Sequence, residues 1–253
     1  MQFDFKGKTA LITGAGSGLG RATAHLFAKN NANVVVSDLN IDGGEETARL
    51  IIDAGGIAVF IACDVTNELE VNSLIQKTVS DFGRIDFAVN NAGIGGKWLP
   101  THKYPTENFR QVMEVNTMGV FFCMRAELNV MLEQGFGSIV NVASVAGLNG
   151  FPNNLAYDAS KHAVVGLTKT AGLEYAKLGI RVNAVCPVFT ITPLVESIFL
   201  LDPSMEQKLQ NSIPMKRYGK AEEIADAIVY LSSPAASFIT AHAMPIDGGM
   251  TAG

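Results

Sequence analysis

Short apolar runs alternate with amphipathic, helix-forming stretches along nearly the whole chain. Runs typical of strands lie at 9–13, 34–38, 58–64, 87–90, 138–143, 181–186 and 243–247. Patterns typical of helices lie at 18–29, 42–54, 67–82, 107–133, 155–178 and 221–231. Such alternation predicts βαβ units, and therefore an α/β fold with a mainly parallel sheet covered by helices on both faces.

The length of 253 residues and the hydrophobic fraction of 48% suit one large α/β domain. No linker, repeat or low-complexity tract suggests a second domain. We therefore expect residues 1–253 to form a single domain. Its first part, about 6–144, would bind a cofactor, and its second part, about 144–250, would hold the catalytic and substrate residues.

Charge and cysteine content narrow the possible partners. The net charge of −5 argues against a nucleic-acid or anionic-membrane surface. Cys63, Cys123 and Cys186 lie apart inside apolar runs, which favours buried thiols over disulfides, and the four histidines show no metal-ligand spacing. No apolar run has the length of a signal peptide core or a membrane span. We expect a cytoplasmic protein without a metal site.

A glycine-rich turn follows the first predicted strand and precedes the first predicted helix. Gly14, Gly18 and Gly20 have the spacing GxxxGxG, not the GxGxxG of the common dinucleotide fingerprint. Glycines allow the backbone to turn sharply and approach a ligand, and the helix N-terminus offers free N–H groups to a phosphate. In this context the turn predicts a dinucleotide site, although such a turn can also be purely structural.

Polar residues end the next strands at the same predicted sheet edge. Asp38 lies where a carboxylate can accept hydrogen bonds from the adenosine ribose and repel a 2′-phosphate, which favours NAD over NADP; alternatively, it caps the next helix. Asp64 and Val65 could meet the adenine. The stretch 90–93 (NNAG) could line the cofactor or brace the sheet.

Four further residues carry candidate chemistry. Tyr157 and Lys161 are four residues apart, so in a helix they share one face, and an ammonium beside a phenol favours the phenolate. Taken alone, the pair could be an ordinary surface pair. Ser144 ends the fifth strand, where it could donate to a substrate oxygen or serve only the turn. Asn116 lies within a helical pattern, where asparagine is unfavourable unless its amide is used.

In their order along the chain, these motifs match one family. From about residue 6 to residue 250 the sequence resembles the classical short-chain dehydrogenases/reductases. The matching features are TGAGSGLG at 13–20, NNAG at 90–93, Asn116, Ser144, the Tyr157/Lys161 pair and DGG at 247–249. The resemblance implies a three-layer, Rossmann-type, doubly wound parallel sheet of about seven strands, and hydride transfer between a nicotinamide and a secondary alcohol or ketone.

The resemblance also implies roles for single residues. Tyr157 would be the general acid/base, Lys161 would lower its pKa and bond the nicotinamide ribose, Ser144 would hold the substrate oxygen, and Asn116 would hold the helix open around a proton-relaying water. The cofactor NAD(H) would be bound by Gly14, Ser17, Gly18, Leu19, Gly20, Asp38, Leu39, Asp64, Val65, Asn91, Ala92, Gly93, Tyr157, Lys161, Pro187, Val188, Thr190 and Thr192.

Two positions depart from the family pattern. Similar proteins usually carry Pro-Gly after the sixth strand, whereas Val188 follows Pro187 here. A β-branched side chain at that position is expected to reshape the pocket wall beside the nicotinamide. Ala241 stands where the family usually has glycine, just before the last strand.

The substrate is expected to be a bulky, apolar alcohol or ketone, cyclic or aromatic. The apolar stretch 193–201 (PLVESIFLL) would form a lid over it, or else belong to the core. Candidate pocket residues are Gly95, Trp98, Val145, Leu148, Phe151, Asn154, Leu194, Ile198 and Phe199.

The apolar content of the helices at 107–133 and 155–178 exceeds what one sheet face needs. In similar proteins these helices pair across a dimer interface, so a homotetramer with D₂ symmetry is expected. Two other functions remain open: an NADP-dependent ketoreductase of the 3-oxoacyl type, and a non-enzymatic NAD-binding regulator. Asp38 argues against the first, and the complete set of Asn116, Ser144, Tyr157 and Lys161 argues against the second.

Overall fold

The predicted strands form one parallel sheet. The computed structural model describes residues 3–252, apart from the side chains of residues 197, 198 and 201. The seven strands are β1 (Thr9–Thr13), β2 (Asn33–Asp38), β3 (Ile57–Ala62), β4 (Phe87–Asn90), β5 (Gly137–Val142), β6 (Ile180–Pro187) and β7 (Ala243–Ile246). Their order in the sheet is β3-β2-β1-β4-β5-β6-β7, which confirms the doubly wound fold.

Helices cover both faces of this sheet. They are α1 (Gly18–Lys29), α2 (Ile41–Asp53), α3 (Glu68–Phe82), α4 (Thr106–Met113), α5 (Gly119–Gln134), α6 (Leu155–Tyr175), α7 (Pro193–Leu201), α8 (Ser204–Ser212) and α9 (Ala221–Ser232). Alternate residues of β1 point to opposite faces: Ile12 packs in the cluster that holds α1, α2 and α9, and Leu11 packs in the one that holds α3, α5 and α6. The two cores explain why the strands are apolar throughout.

The predicted helix at 107–133 differs in one respect from the structure. It is divided into α4 and α5 by a π-helical turn at Glu114–Met118. π-Helical turns are rare and occur often at functional sites. The periodicity of the apolar residues continues through the turn, so a pattern-based reading does not detect it. Helix α8 was not predicted, because its nine residues contain only one buried position, Leu209.

The order of the strands determines where the site lies. β1 pairs with β2 on one side and with β4 on the other, so the chain changes direction across the sheet at this point. In open α/β sheets the crevice at such a point, outside the carboxyl ends of the strands, binds ligands. Every polar residue singled out at a strand end therefore reaches the same edge.

A buried polar cluster lies behind that edge. Asn90 donates through Nδ2 to Asn141 Oδ1 at 3.0 Å and to Glu127 Oε2 at 3.1 Å. Asn141 donates in turn to Thr168 Oγ1 at 2.9 Å. Of the two uses considered for the NNAG stretch, Asn90 therefore braces the sheet. Glu127 is fully buried, and burial raises the pKa of its carboxyl group to about 7.

Ala241 adopts a conformation that suits glycine. Its φ is 58°, and its N–H donates to the Val182 carbonyl at 2.8 Å. A Cβ added to Gly172 on α6 would lie 2.8 Å from the Ala241 Cβ, so the two backbones meet closely. Left-handed backbone costs an L-residue roughly 1–2 kcal/mol, which makes Ala241 a strained position.

We expect the substitution Ala241→Gly to stabilise the protein by about 0.5–1 kcal/mol. It relieves the left-handed strain, although the more flexible glycine offsets about 0.4–1 kcal/mol by increasing the entropy of the unfolded chain. Thermal unfolding should show a Tm about 2 °C higher. The matched control is Ala176→Gly, at an exposed residue with φ −54°, which should lower the Tm. A Tm of Ala241→Gly at or below that of the parent would contradict the strain argument.

Candidate active site

A cavity of ≈ 1040 Å³ runs along the carboxyl edge of the sheet. Its lining runs across the strand order from Asp38 at the end of β2 and the glycine-rich turn after β1 to Trp98 after β4 and Leu194 after β6. Tyr157 and Ser144 line the middle of the same cavity. The glycine-rich turn and the Tyr157/Lys161 pair are more than a hundred residues apart in the sequence, yet they line the same cavity.

The glycine-rich turn exposes backbone where a phosphate would bind. Gly14 and Gly18 have φ values of 62° and 51°, and a Cβ on Gly14 would meet the Ala92 backbone at 2.8 Å. Ser17, the N-cap of α1, makes no side-chain cap hydrogen bond, and the first turn holds no acidic residue. A pyrophosphate fits such a free helix N-terminus. Gly20 does not line the cavity: a Cβ there would lie 2.1 Å from the Gly14 carbonyl oxygen, so its role is close packing.

Asp38 supports the turn from the end of β2. Its Oδ2 accepts from the Gly16 N–H at 2.8 Å, and its Oδ1 accepts from the Asn40 N–H at 2.8 Å. A carboxylate has about four acceptor sites, so both oxygens retain capacity for ribose hydroxyls. The side chain lines the cavity. Asp38 therefore fits the adenosine end of a dinucleotide, while the cap of α2 comes from Asn40.

The remaining predicted cofactor residues have a common location. They all line the cavity: Gly14, Ser17, Gly18, Leu19, Asp38, Leu39, Asp64, Val65, Asn91, Ala92, Gly93, Tyr157, Lys161, Pro187, Val188, Thr190 and Thr192. Val188 is buried and packs with Val145 and Ile213. It is not among the described residues with positive φ, so the expected β-branched wall is present without backbone strain.

Tyr157 and Lys161 lie on α6 and face the cavity together. Lys161 is 4% exposed, its Nζ donates to the Val142 carbonyl at 2.8 Å, and it lies 5.5 Å from the centroid of the Tyr157 ring. Ser144 is also buried, lines the same cavity and lowers the pKa of Tyr157. The geometry thus brings together a phenol, a hydroxyl and an ammonium.

The pKa of Tyr157 differs from the expectation. Burial, the largest cause, raises it to about 12, the hydrogen bond with Ser144 lowers it, and the charge of Asp158 raises it. Burial also lowers the pKa of Lys161 to about 8. Desolvation outweighs the other causes of this shift, and Lys161 is not among those causes, so the lowering of the Tyr157 pKa by Lys161 stays a prediction. At neutral pH the phenol is protonated and able to donate.

Asn116 lies in the π-helical turn and is fully buried. Its Oδ1 accepts from the Ile94 N–H at 2.8 Å, and its Nδ2 donates to the Ile94 carbonyl at 2.9 Å and to Ser160 Oγ at 3.1 Å. The amide is therefore used, as the mid-helix position predicted. It fixes the loop after β4, whose Gly93 borders both Asn116 and Lys161. Asn116 itself does not line the cavity.

The other end of the cavity is largely apolar. Of the predicted substrate residues, those that line it are Gly95, Trp98, Val145, Phe151, Asn154 and Leu194. For two others the structure differs from the prediction. Leu148 packs against the cluster of Val120, Ala143 and Val164, and Phe199 packs its ring on Tyr218 at 5.6 Å. The side chain of Ile198 lies outside the described residues.

Further lining residues were missed from the sequence. They include Ile94, Gly96, Gln111, Glu114 and Phe189, and Val195 of the predicted lid stretch also lines the cavity. Val195 belongs to α7, which agrees with a lid position for its first turn. Gln111 and Glu114 lie in α4 and the π-helical turn, and no spacing signal distinguishes them from other polar helix residues. Among the described residues no group of His, Cys, Asp or Glu could hold a metal ion.

Known proteins resemble this chain over nearly its whole length. The model of a family described as enoyl-(acyl carrier protein) reductase matches residues 14–251. A 2,5-dichloro-2,5-cyclohexadiene-1,4-diol dehydrogenase of Sphingobium indicum (strain B90A) is 43% identical over 250 residues, which cover 98% of this chain and 99% of that protein. A cyclohexanol dehydrogenase of Acinetobacter sp. (strain SE19) is 40% identical, with 99% and 98% covered.

Solved structures agree with these sequence relationships. The crystal structure of levodione reductase has a TM-score of 0.93 at 41% identity and covers 98% of this chain and 99% of its own. That of NAD⁺-bound xylitol dehydrogenase has a TM-score of 0.92 at 36% identity, with 97% and 99% covered. Fold and site together define an oxidoreductase that uses a nicotinamide cofactor.

The chain belongs to the short-chain dehydrogenase/reductase family. It is an enzyme that acts on CH–OH groups and interconverts a secondary alcohol and a ketone. Within the described part of the chain, no helix is both long and apolar enough to cross a membrane.

Proposed function

We propose that this enzyme is an NAD(H)-dependent dehydrogenase of a cyclic, largely apolar secondary alcohol. One observation carries the proposal: a single cavity joins the glycine-rich turn, the phenol of Tyr157 and an apolar end that holds Trp98, Val145 and Phe151. The cyclohexanol and cyclohexadienediol dehydrogenases among its relatives support a ring substrate.

We assign the proton transfer to Tyr157. In ketone reduction its hydroxyl donates the proton to the carbonyl oxygen, which Ser144 holds by a second hydrogen bond; in alcohol oxidation the same oxygen takes the proton back. A bound nicotinamide supplies or accepts the hydride, and its oxidised form, being cationic, favours the phenolate. Lys161 lies on the same helix face and would bond the nicotinamide ribose. Asn116 positions the loop after β4.

The test of this function is the initial rate of change in absorbance of the reduced nicotinamide. Both NAD⁺ and NADP⁺ are supplied with secondary alcohols that range from small and acyclic to cyclic and aromatic. Turnover of ring alcohols with NAD⁺ is the expected result. Turnover confined to acyclic substrates would contradict the proposal that the cavity binds ring substrates. Turnover confined to NADP⁺ would contradict the assignment of NAD(H) as the cofactor.

Charge around the adenosine end supports NAD over NADP. In the proposed binding mode the Asp38 carboxylate would lie beside the ribose 2′ position and would repel a 2′-phosphate. Arg21, directly after the glycine-rich turn, does not line the cavity, and its guanidinium donates to Glu46 at 2.6 Å and to the Gly16 carbonyl at 2.5 Å. This arginine is therefore already paired by groups of the protein.

We expect Asp38→Ala to lower the ratio of kcat/KM for NAD⁺ to kcat/KM for NADP⁺ by about 10- to 100-fold. The substitution removes a hydrogen bond to a charged group, worth about 1.5–3 kcal/mol, together with the repulsion of a 2′-phosphate. Parallel initial rates with both cofactors measure the ratio. Asp42→Ala, at an exposed residue of the first turn of α2, is the control and should leave the ratio unchanged. An unchanged ratio in Asp38→Ala would remove Asp38 from the cofactor argument.

The matching family model is described as an enoyl-(acyl carrier protein) reductase, so one alternative function is a reductase that acts on acyl-carrier substrates. An NADP-dependent ketoreductase of the 3-oxoacyl type would need a binding site for the 2′-phosphate, and Asp38 occupies that place. A non-enzymatic NAD-binding regulator has less support, since Asn116, Ser144, Tyr157 and Lys161 are all present and in contact with the loops that build the site.

We further propose a homotetramer. Its support is a set of exposed apolar side chains on α5, on α6 and its extension, and before β7: Leu132, Leu173, Leu178 and Phe238. Light scattering after size-exclusion chromatography tests this assembly. The three cysteines are free and buried, which fits a reducing compartment, and the cytoplasmic location stays a prediction.

A further inference from the structure

Asn154 is a polar residue in the apolar end of the cavity. It lines the cavity and is 8% exposed. Its neighbours there, Phe151, Val145 and Leu194, offer a substrate apolar side chains. A buried amide in such surroundings costs free energy unless its donors and acceptors form hydrogen bonds. The hydrogen bonds of Asn154 therefore indicate which polar group a bound substrate should supply.

Asp158 fixes the orientation of this amide. Its Oδ2 accepts from the Phe151 N–H at 2.6 Å, and its Oδ1 accepts from Asn154 Nδ2 at 2.7 Å. An ionised carboxylate can only accept, so the NH₂ side of Asn154 must face Asp158. The carbonyl oxygen, Oδ1, is thereby turned away from the carboxylate.

In the part of the chain that the structure describes, Asn154 Oδ1 accepts no hydrogen bond. Among the described residues no hydrogen bond reaches it, and it is not one of the enclosed side-chain atoms that lack a partner. Because Asn154 is otherwise buried, the open space that reaches Oδ1 is the cavity. The site therefore presents a hydrogen-bond acceptor to whatever fills this end.

The backbone around Asn154 holds this acceptor in place. Asn154 pairs with Leu99 in a parallel β-bridge, and the Leu99 N–H donates to the Asn153 carbonyl at 2.9 Å. The Asp158 N–H donates to the Asn154 carbonyl at 3.0 Å. Asn154 is the N-cap of α6 and lies three residues before Tyr157, so both side chains line the cavity from the start of the same helix.

We propose that Asn154 selects a ring substrate with a second hydroxyl group, which donates to Asn154 Oδ1 while the reacting oxygen lies at Tyr157 and Ser144. The substrate class is thus a cyclic diol or the corresponding hydroxyketone. The proposal rests on the proposed function, since it concerns the same cavity and reaction. Asp158 is the positioning residue that fixes the polarity of the amide.

The experiment compares kcat/KM for cyclohexane-1,3-diol and cyclohexane-1,4-diol with that for their monomethyl ethers, the methylcyclohexanols and cyclohexanol. The ether oxygen can accept but cannot donate, and a methyl group matches the hydroxyl in size. We expect one of the diols to exceed its ether and its methyl analogue by about tenfold, the size of effect that leaving one buried polar atom unpaired produces.

Three variants complete the test. Asn154→Leu, or Asn154→Ala if the first variant does not fold, should reduce the preference for the diol to within about twofold. Asp158→Asn, which no longer dictates the orientation of the Asn154 amide, should also reduce it. Asn149→Leu, at an exposed residue of the same loop outside the cavity, is the control and should keep the preference.

The outcomes distinguish a failure of the role proposed for Asn154 from a failure of the proposed function. Turnover of cyclohexanol with no preference for a diol, or a preference that survives in the Asn154 variants, overturns the role of Asn154 and leaves the proposed function intact. Absence of turnover with every ring alcohol overturns the proposed function and this inference together. A diol preference that is lost on changing either Asn154 or Asp158 supports both.

Discussion

Replacing Tyr157 by phenylalanine is expected to reduce kcat by about 10³-fold or more. The substitution keeps the ring and removes the hydroxyl that we assign to proton transfer, and general acid–base catalysis typically contributes 10²–10⁴-fold. Tyr157 is the one tyrosine among the described residues that lines the cavity, so no other described phenol can take its place. Steady-state rates with a ring alcohol and NAD⁺ measure the loss.

Cofactor binding separates this chemical role from a structural one. The dissociation constant of NADH, measured by fluorescence, should change by less than about threefold in Tyr157→Phe, since the substitution leaves the glycine-rich turn unchanged. Tyr175→Phe, at the last residue of α6 and outside the cavity, is the matched control and should retain activity. A Tyr157→Phe enzyme that turned over at near the parent rate would refute the assignment of the acid/base.

Replacing Glu127 by glutamine is expected to stabilise the protein by about 3 kcal/mol above pH 7. Burial raises the pKa of this carboxyl group to about 7 from an ordinary value of 4.5. Each pH unit between the two values is worth about 1.36 kcal/mol. Asn90 supplies one hydrogen bond to Oε2, whereas Oε1 is enclosed without a partner, so the charged form is poorly compensated.

The pH dependence gives the sign of this effect. Below about pH 4.5 the group is protonated in both the folded and the unfolded state, so parent and variant should be about equally stable. Between about pH 4.5 and pH 7 the unfolded chain loses the proton that the folded protein retains, and the parent loses stability as the pH rises. Above pH 7 the carboxylate is ionised in both the folded and the unfolded state, and the parent has lost the full stability difference of about 3 kcal/mol. Glutamine has no such dependence.

Chemical denaturation at several pH values from 4.5 to 9 measures the difference in unfolding free energy between the parent and Glu127→Gln. The difference should grow through this range and then become constant. Glu133→Gln lies on the exposed side of the same helix and is the matched control, with a small and pH-independent effect. A constant difference across the whole range would show that Glu127 is not protonated preferentially in the folded protein.

Local patterns in the sequence were sufficient for the architecture and for most of the site. The seven apolar runs correspond to seven strands, with bounds within two residues of the prediction. The residues that follow these strands reach one edge because all the strands are parallel. Spacing alone places Tyr157 and Lys161 on one face of α6. These features depend on periodicity and on strand direction, which neighbouring residues determine.

The chemical state of the site depended on residues far apart in the chain. The pair of Tyr157 and Lys161 suggested a lowered phenol pKa, yet desolvation by the surrounding elements raises the pKa of Tyr157 to about 12. Desolvation is a property of everything that surrounds a group, so no local spacing reports it. The same holds for Glu127, which stands in its helix like any surface glutamate and is fully buried.

The sequence by itself therefore determined the fold, the family and the residues that meet at the carboxyl edge of the sheet. Only the tertiary structure decided which apolar side chains line the cavity, as it includes Val145 and leaves out Leu148. The tertiary structure also decided that Asn154 presents its Oδ1 as a hydrogen-bond acceptor in the cavity, because its NH₂ group donates to Asp158. Periodicity determines which elements form and where they end, whereas burial and hydrogen-bond partners exist only once those elements have packed.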